Sequence, residues 1–212
     1  MLTVIIDYES GNLHSAEKAF QRMAAEVGSG QVIVSDRAED VARADHIVLP
    51  GDGAFPACCA ALKGRENLFD AMKEAVEQRG RPFMGICVGM QLMARVGHEY
   101  EETQGLGWID GEVVKITPDD PTLKVPHMGW NDLVIDHPHP VLAGIDSGQH
   151  AYFVHSYHMQ VGDPDQLLAH ADYGTPITAI VGRDTMIGTQ FHPEKSQATG
   201  LRMIANFLTW RP

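Results

Sequence analysis

Arg81-Pro82-Phe83-Met84-Gly85-Ile86-Cys87-Val88-Gly89-Met90-Gln91 is the stretch that decides the fold of this 212-residue chain. A short apolar run enters it, a cysteine stands between two glycines, and an amphipathic run leaves it. This pattern is typical of a nucleophile elbow, a tight strand-to-helix turn, with cysteine in place of serine. Gly85 and Gly89 would let the strand and helix approach, and a helix N-terminus favours a thiolate. The pattern alone leaves open that Cys87 is only a small, buried, inert side chain.

Strands and helices alternate through the first half of the chain. Apolar runs predict strands at 2–6, 31–36, 45–49 and 82–86, and helical spacing predicts helices at 13–23, 54–62, 68–78 and 88–96. We therefore expect an α/β fold with a doubly wound, mixed but mostly parallel sheet and flanking helices. In such sheets the reactive groups gather at the carboxyl ends of the strands.

The second half is richer in strands and closes with a helix. Strand-like segments occupy 105–116, 131–136, 150–161, 166–172, 176–183 and 185–190, and the helix is expected at 196–210. We see no internal repeat or linker, which predicts a single domain over residues 1–212.

Charge and composition exclude several classes of protein. The net charge of −12 argues against a nucleic-acid surface and against docking on an anionic membrane. No apolar stretch approaches the length of a membrane span. Three cysteines give no disulfide framework, and the apolar start reaches Asp7 without a basic segment, so a cytoplasmic protein is expected.

A cysteine nucleophile needs a base, and the base needs an orienting group. His192 follows a predicted strand, and Glu194 lies two residues further on, beyond Pro193. The carboxylate is near enough in sequence to hold the imidazole tautomer. A surface turn before the closing helix explains the same residues at least as well.

The loop Pro50-Gly51-Asp52-Gly53 also lies between a strand and a helix. The N–H groups of Gly51 and Gly53, with that of Val88, are candidates to hold a developing oxyanion. An ordinary β–α turn is the alternative reading of this loop.

Histidines also raise the possibility of a metal site. His155 with His158, and His137 with His139, lack the acidic or thiolate partners of known zinc motifs. No glycine-rich phosphate loop follows a strand. We therefore expect neither a metal nor a cofactor.

Together these residues resemble the class I (triad) glutamine amidotransferases, which have a flavodoxin-like fold. The resemblance rests on Gly85-Ile86-Cys87-Val88-Gly89-Met90-Gln91, the loop at 50–53, and Phe191-His192-Pro193-Glu194. Over nearly the whole chain it narrows to the glutaminase subunit family of imidazole glycerol phosphate synthase, an enzyme of histidine biosynthesis. The narrower signs are Ile6-Asp7-Tyr8 with Gly11-Asn12-Leu13, Pro126-His127-Met128-Gly129-Trp130-Asn131 and Tyr152-Phe153-Val154-His155-Ser156-Tyr157.

The resemblance implies a set of catalytic roles. Cys87 would attack the carboxamide of L-glutamine and form a γ-glutamyl thioester, with His192 moving the proton and Glu194 orienting His192. Ammonia would pass to a cyclase subunit with a (β/α)₈ barrel, which would bind the phosphorylated substrate.

The resemblance also implies binding residues. Gln91, Glu99, Ser156 and Tyr157 would hold glutamine. Positions facing or gating the partner would be Asn12, His127, Met128, Trp130 and Asn131.

Two positions depart from the family pattern. Glu9 stands where the family usually has glycine, so a positive φ there would strain the loop. Asp52 occupies a usually apolar position in the oxyanion loop, where a carboxylate would oppose catalysis unless it points away. Two alternatives to the glutaminase reading remain: another class I amidotransferase, or a non-catalytic regulatory subunit on the same fold.

Overall fold

A computed structural model describes residues 1–10 and 13–212 of the chain. Its strands are β1 (Leu2–Ile6), β2 (Gln31–Ser35), β3 (His46–Gly51), β4 (Phe83–Cys87), β5 (Val96–Gly97), β6 (Thr103–Gln104), β7 (Gly111–Lys115), β8 (His127–Asp132), β9 (Val134–Ile135), β10 (His150–His155), β11 (Tyr157–Val161), β12 (Leu167–Asp172), β13 (Pro176–Arg183) and β14 (Met186–Thr189). Its α-helices are α1 (Leu13–Val27), α2 (Ala38–Arg43), α3 (Phe55–Lys63), α4 (Glu66–Lys73), α5 (Val88–Gln91) and α6 (Gln197–Thr209).

The central sheet has eight strands in the order β2-β1-β3-β4-β14-β13-β12-β9. The pairs from β2 to β14 are parallel, and those from β14 to β9 are antiparallel. The predicted mixed, mostly parallel sheet is therefore confirmed. The strands of the parallel half are largely apolar because both of their faces are covered. In β1, for example, Val4, Ile5 and Ile6 are fully buried.

The helices flank this sheet on both faces. The chain moves one way from β1 through α1 to β2, and the other way from β2 through α2 to β3. Right-handed crossovers therefore place α1 and α2 on opposite faces. Helix α6 packs against α1. None of the described helices is long and apolar enough to cross a membrane.

Two smaller sheets accompany the central sheet. Strands β8 and β10 pair antiparallel, and β11-β7-β5-β6 form a second group. The predicted strand at 150–161 is therefore divided: it breaks at Ser156, and its two halves join different sheets.

The prediction of a helix at 88–96 is wrong beyond the first helical turn. Helix α5 ends at Gln91, because the carbonyls of the next residues leave the helical direction. Leu92 O accepts from Leu106 N at 2.8 Å, and Met93 O accepts from Trp108 N at 2.9 Å. The same contacts shorten the strand predicted at 105–116, of which only β7 forms. A four-residue helix has little macrodipole, so the expected helix-end effect on the Cys87 thiol is weak.

Some short elements were not predicted from the sequence. Helix α2 and the two-residue strands β5 and β6 were not predicted, because so few residues carry no clear periodicity. The predicted helix at 68–78 is present as α4, continued by a π-helical turn over Glu74–Gln78.

Candidate active site

Cys87 is the last residue of β4 and has an unusual backbone conformation. Its φ is 55° and its ψ is −114°, a region that disfavours any side chain. Close backbone contact explains the flanking glycines. A Cβ on Gly89 would lie 1.8 Å from Leu49 O, and one on Gly85 would lie 2.6 Å from Gly89 O. The elbow predicted from the sequence is therefore present, and Cys87 is 6% exposed.

His192 reaches the same edge of the sheet from the neighbouring strand. Strand β14 pairs with β4 and ends at Thr189, three residues before His192. His192 Nδ1 lies 2.8 Å from Glu194 Oε1, and the two side chains are 11% and 3% exposed. The surface-turn alternative therefore does not hold for this pair.

Electrostatics favour the protonated form of His192. Burial lowers its pKa, but its contacts with Cys87 and Glu194 raise that pKa by more, to about 10. Glu194 Oε2 is buried and has no hydrogen-bond partner in the part of the chain that the structure describes. An uncompensated carboxylate oxygen leaves more negative charge to stabilise an imidazolium.

A cavity of about 190 Å³ lies over Cys87 and His192. It is bounded by the loop at 50–53 on one side and by residues 154–157, where β10 passes into β11, on the other. Most of the residues predicted from the sequence line it: Gly53, Cys87, Val88, Gln91, Glu99, Ser156, Tyr157 and His192.

The loop at 50–53 is held by its two glycines and by a hydrogen bond from Ser10. Gly53 has a φ of +110°, which requires glycine. Gly51 is buried against the elbow, where a Cβ would come within 2.6 Å of Gly89 N. The Asp52 carbonyl accepts from Ser10 Oγ at 2.8 Å. The Asp52 side chain is exposed at the rim of the cavity.

Two predicted glutamine-holding groups are already hydrogen-bonded within the protein. Glu99 Oε2 accepts from Phe55 N at 2.7 Å, at the start of α3. Gln91 Nε2 donates to Tyr157 O and to Gln190 Oε1, each at 3.0 Å. Both still line the cavity, and their contact with substrate stays a prediction.

Gln190 was not predicted from the sequence. It is fully buried, and its Nε2 lies 3.9 Å from Cys87 Sγ. Its position two residues before His192 was the available signal, because alternate residues of an extended segment share a face.

Glu9 has the positive φ that its departure from the family pattern suggested. Its φ is 67°, a conformation that costs a non-glycine residue about 1 kcal/mol. Arg65 Nη2 lies 2.8 Å from Glu9 Oε1, so the Glu9 carboxylate forms an ion pair with Arg65.

Side chains alternate between the two faces of β8, so the predicted partner-facing residues do not all lie on the same face. Met128 and Trp130 are 61% and 48% exposed, whereas His127 is 2% exposed. Asn131 turns inward and donates to Asp172 O at 2.8 Å. The structure therefore places His127 in the interior, where a partner could not touch it, because neighbouring strand residues point to opposite faces. Asn12 lies outside the described residues.

The fold and this site define a class of enzyme. Residues 4–210 match the family described as glutamine amidotransferase class-I. Among solved structures, one described as a glutamine amidotransferase has a TM-score of 0.71 at 18% identity and covers 97% of this chain and 98% of its own. The Trypanosoma brucei CTPS glutaminase domain with bound acivicin has a TM-score of 0.67 at 14% identity, covering 98% of this chain and 92% of its own. At these identities the structural likeness shows the fold alone.

Full-length relatives narrow the assignment. The imidazole glycerol phosphate synthase subunit HisH of Cereibacter sphaeroides is 74% identical, and that of Ruegeria pomeroyi is 72% identical. The subunit of the same name from Rhodospirillum rubrum is 53% identical, and each alignment covers 100% of both chains. The chain belongs to the class I glutamine amidotransferases and, within them, to the HisH subunits of imidazole glycerol phosphate synthase.

Proposed function

We propose that this chain hydrolyses L-glutamine at Cys87 and passes the ammonia to a cyclase subunit with a (β/α)₈ barrel. The observation that carries the proposal is the elbow itself: a strained cysteine at the end of β4, beside a buried histidine–glutamate pair at the end of β14. Strain at such a position persists only when the surrounding structure imposes it, and it commonly marks a reactive group.

The chemistry follows from the positions of these groups. The Cys87 thiol gives its proton to His192, and the thiolate attacks the carboxamide carbon of glutamine. N–H groups of Gly53 and Val88 hold the oxyanion, and Gly51 supports the loop from beneath. His192 returns the proton to the departing ammonia, which leaves a γ-glutamyl thioester. His192 then activates a water that releases glutamate, while Glu194 holds the imidazole in place.

The remaining pocket residues suit an amino acid substrate. The Glu99 carboxylate would pair with the α-ammonium group of glutamine. The main chain of Ser156 and Tyr157 would bind the other end of the glutamine molecule. Gln91 supports this wall of the cavity through its hydrogen bond to Tyr157 O.

An apolar patch on β8 supports a protein partner. Met128 and Trp130 lie on its outer face, and the Trp130 ring packs against the Tyr152 ring at 5.7 Å. Exposed aromatic and methionine side chains are enriched in protein interfaces. We place the cyclase barrel there, with Asn131 and His127 behind the contact surface.

We also propose that residues 1–212 form one domain and that the protein is cytoplasmic. Contact between α1 and α6 joins the two ends of the chain and supports the first statement. Three free cysteines, at 58, 59 and 87, suit a reducing compartment.

Glutamine hydrolysis by the purified chain tests the proposal, with and without the cyclase subunit and its phosphoribosylated aminoimidazole carboxamide ligand. We expect weak activity alone and strong stimulation in the pair. Equal rates in both conditions would contradict the coupling.

The matched variant is Cys87→Ala in the pair. Glutamine-dependent cyclisation should be lost, whereas cyclisation with added ammonia should be unchanged. Loss of both would mean that Cys87 is a structural residue.

A further inference from the structure

A row of hydrogen-bonded side chains leads to the cavity wall that residues 154–157 form near Cys87. Asn131 Nδ2 is 3.2 Å from His127 Nε2, and His127 Nδ1 is 2.9 Å from His155 Nε2. His155 Nδ1 is in turn 2.8 Å from the Tyr157 carbonyl oxygen. The row therefore runs from β8, through β10, to the first residue of β11.

Only one assignment of protons satisfies every contact in this row. The Tyr157 carbonyl can only accept, so His155 Nδ1 carries a proton and donates it. A neutral His155 then accepts at Nε2, and His127 must donate from Nδ1. His127 Nε2 accepts in turn from the Asn131 amide. Each ring thus has one donor and one acceptor, both used.

Both rings are neutral at pH 7 because the protein interior surrounds them. His155 and His127 are 6% and 2% exposed. Burial lowers the pKa of His155 to about 3 and that of His127 to about 4. The His127 ring also stacks between Phe153 at 4.7 Å and Tyr173 at 4.1 Å, which fixes its plane.

The far end of the row meets the groups around the nucleophile. The Tyr157 carbonyl accepts a second hydrogen bond from Gln91 Nε2 at 3.0 Å. Gln91 is bonded to Gln190, which approaches Cys87 Sγ. The Ser156 carbonyl is taken separately by Ile116 N at 2.9 Å. Both peptide units of this wall are therefore held, one by backbone and one by His155.

We propose that His155, oriented by His127, is a positioning residue that fixes the Tyr157 carbonyl and so sets the shape of the glutamine pocket. The role rests on the proposed glutaminase function and adds to it a residue that acts through the main chain of Ser156–Tyr157. Neither histidine exchanges a proton during the reaction. The row begins on β8, whose outer face carries Met128 and Trp130, so the row and the proposed partner surface share one strand.

Two substitutions of similar size separate the two hydrogen bonds of His155. In His155→Asn the amide nitrogen lies close to the position of Nδ1 and keeps the bond to Tyr157 O. In His155→Gln the longer amide reaches the position of Nε2 and loses that bond. Steady-state glutamine hydrolysis is measured for both in the complex with the cyclase subunit, together with urea unfolding.

We expect His155→Gln to raise KM for glutamine about 10-fold with kcat changed less than about 3-fold, since a lost binding contact weakens ground state and transition state alike. His155→Asn should stay within about 3-fold of the wild type in both constants. A purely structural histidine would instead make KM follow the loss of stability in both variants. Equal KM values for Asn and Gln, or a loss confined to kcat, overturn the positioning role.

His127 supplies a second pair in case the His155 variants do not fold. His127→Asn keeps a donor near Nδ1, and His127→Leu removes it at similar volume. The leucine variant should raise KM several-fold more than the asparagine variant, and equal values overturn the proposal. A wild-type complex that does not hydrolyse glutamine would instead overturn the proposed function itself, whereas failure of the positioning role leaves wild-type hydrolysis intact.

Discussion

The two sides of the cavity are held by different kinds of contact. The elbow side, residues 85–91, depends on close approaches between backbone atoms, such as Gly89 against Leu49 O. The histidine wall, residues 154–157, depends on side-chain hydrogen bonds from His155 and Gln91. Backbone contacts tolerate no added atom but do not respond to pH, whereas neutral buried histidines respond to protons. The two sides should therefore fail under different perturbations.

The largest effect is expected from Gly89→Ala on the elbow side. The new Cβ would meet Leu49 O at 1.8 Å, so strands β3 and β4 or helix α5 must shift. We expect the free energy of unfolding to fall by at least about 4 kcal/mol, the range of severe core substitutions. Urea unfolding measures it.

Gly28→Ala is the control for Gly89→Ala. Gly28 also lacks a side chain and has a φ of +67°, but a Cβ there would meet nothing within 4 Å. Only the backbone strain applies, and the cost should be about 1 kcal/mol. Similar losses at the two positions would contradict the steric explanation of the elbow.

Acid should act on the buried histidines, of which His127 and His155 belong to the hydrogen-bonded row. Four buried histidines have lowered pKa values, about 4 for His46, His127 and His158 and about 3 for His155. The unfolded chain takes up protons first, near pH 6.5. Stability is therefore fully present above that pH and is lost as pH falls toward 4, by about 1.4 kcal/mol per pH unit for each proton that the unfolded chain takes up.

Urea unfolding between pH 7 and pH 4.5 measures this slope, and His155→Asn should reduce it. A flat profile from pH 7 to pH 5 would contradict the neutral state of these buried histidines. His192 acts with the opposite sign: its pKa is raised to about 10, so its contribution is present below pH 6.5 and is lost as pH rises through 10.

A smaller effect should reveal the strain at the nucleophile. Cys87→Gly and Cys87→Ala both remove the thiol, but only alanine keeps a Cβ at φ 55° and ψ −114°. We expect the glycine variant to be more stable by about 1 kcal/mol, since relief of strain exceeds the added entropy of the unfolded chain. Thermal unfolding compares them, and an alanine variant of equal or greater stability would argue against strain.

The smallest effect is expected at Asp52. Its exposed carboxylate lies at the rim of the cavity, where negative charge opposes a developing oxyanion. Asp52→Asn in the complex should raise kcat/KM for glutamine about 3-fold at low salt and less at high salt, because salt screens exposed charges. Asp119→Asn, also exposed, should change nothing. An equal response at both positions would mean that only net charge matters.

Local patterns in the sequence predicted much of the elbow side. Glycine spacing around Cys87 gave the turn, because close backbone approach excludes side chains wherever the partner strand comes from. The same local reading failed for the helix after Gln91. Its apolar residues fit a helix, but their carbonyls bond to residues 105–109, which no periodicity reveals.

The sequence by itself predicted Cys87 as the nucleophile, His192 as its base and the parallel half of the sheet, since each prediction rests on adjacent residues and their spacing. Only the tertiary structure decided the histidine wall. His127 and His155 are 28 positions apart, and Gln91 and Gln190 are 99 apart. Such pairs depend on which strands become neighbours, and on which face each side chain takes. The family resemblance implied that His127 faces or gates the partner, whereas the alternation of β8 turns its side chain into the interior.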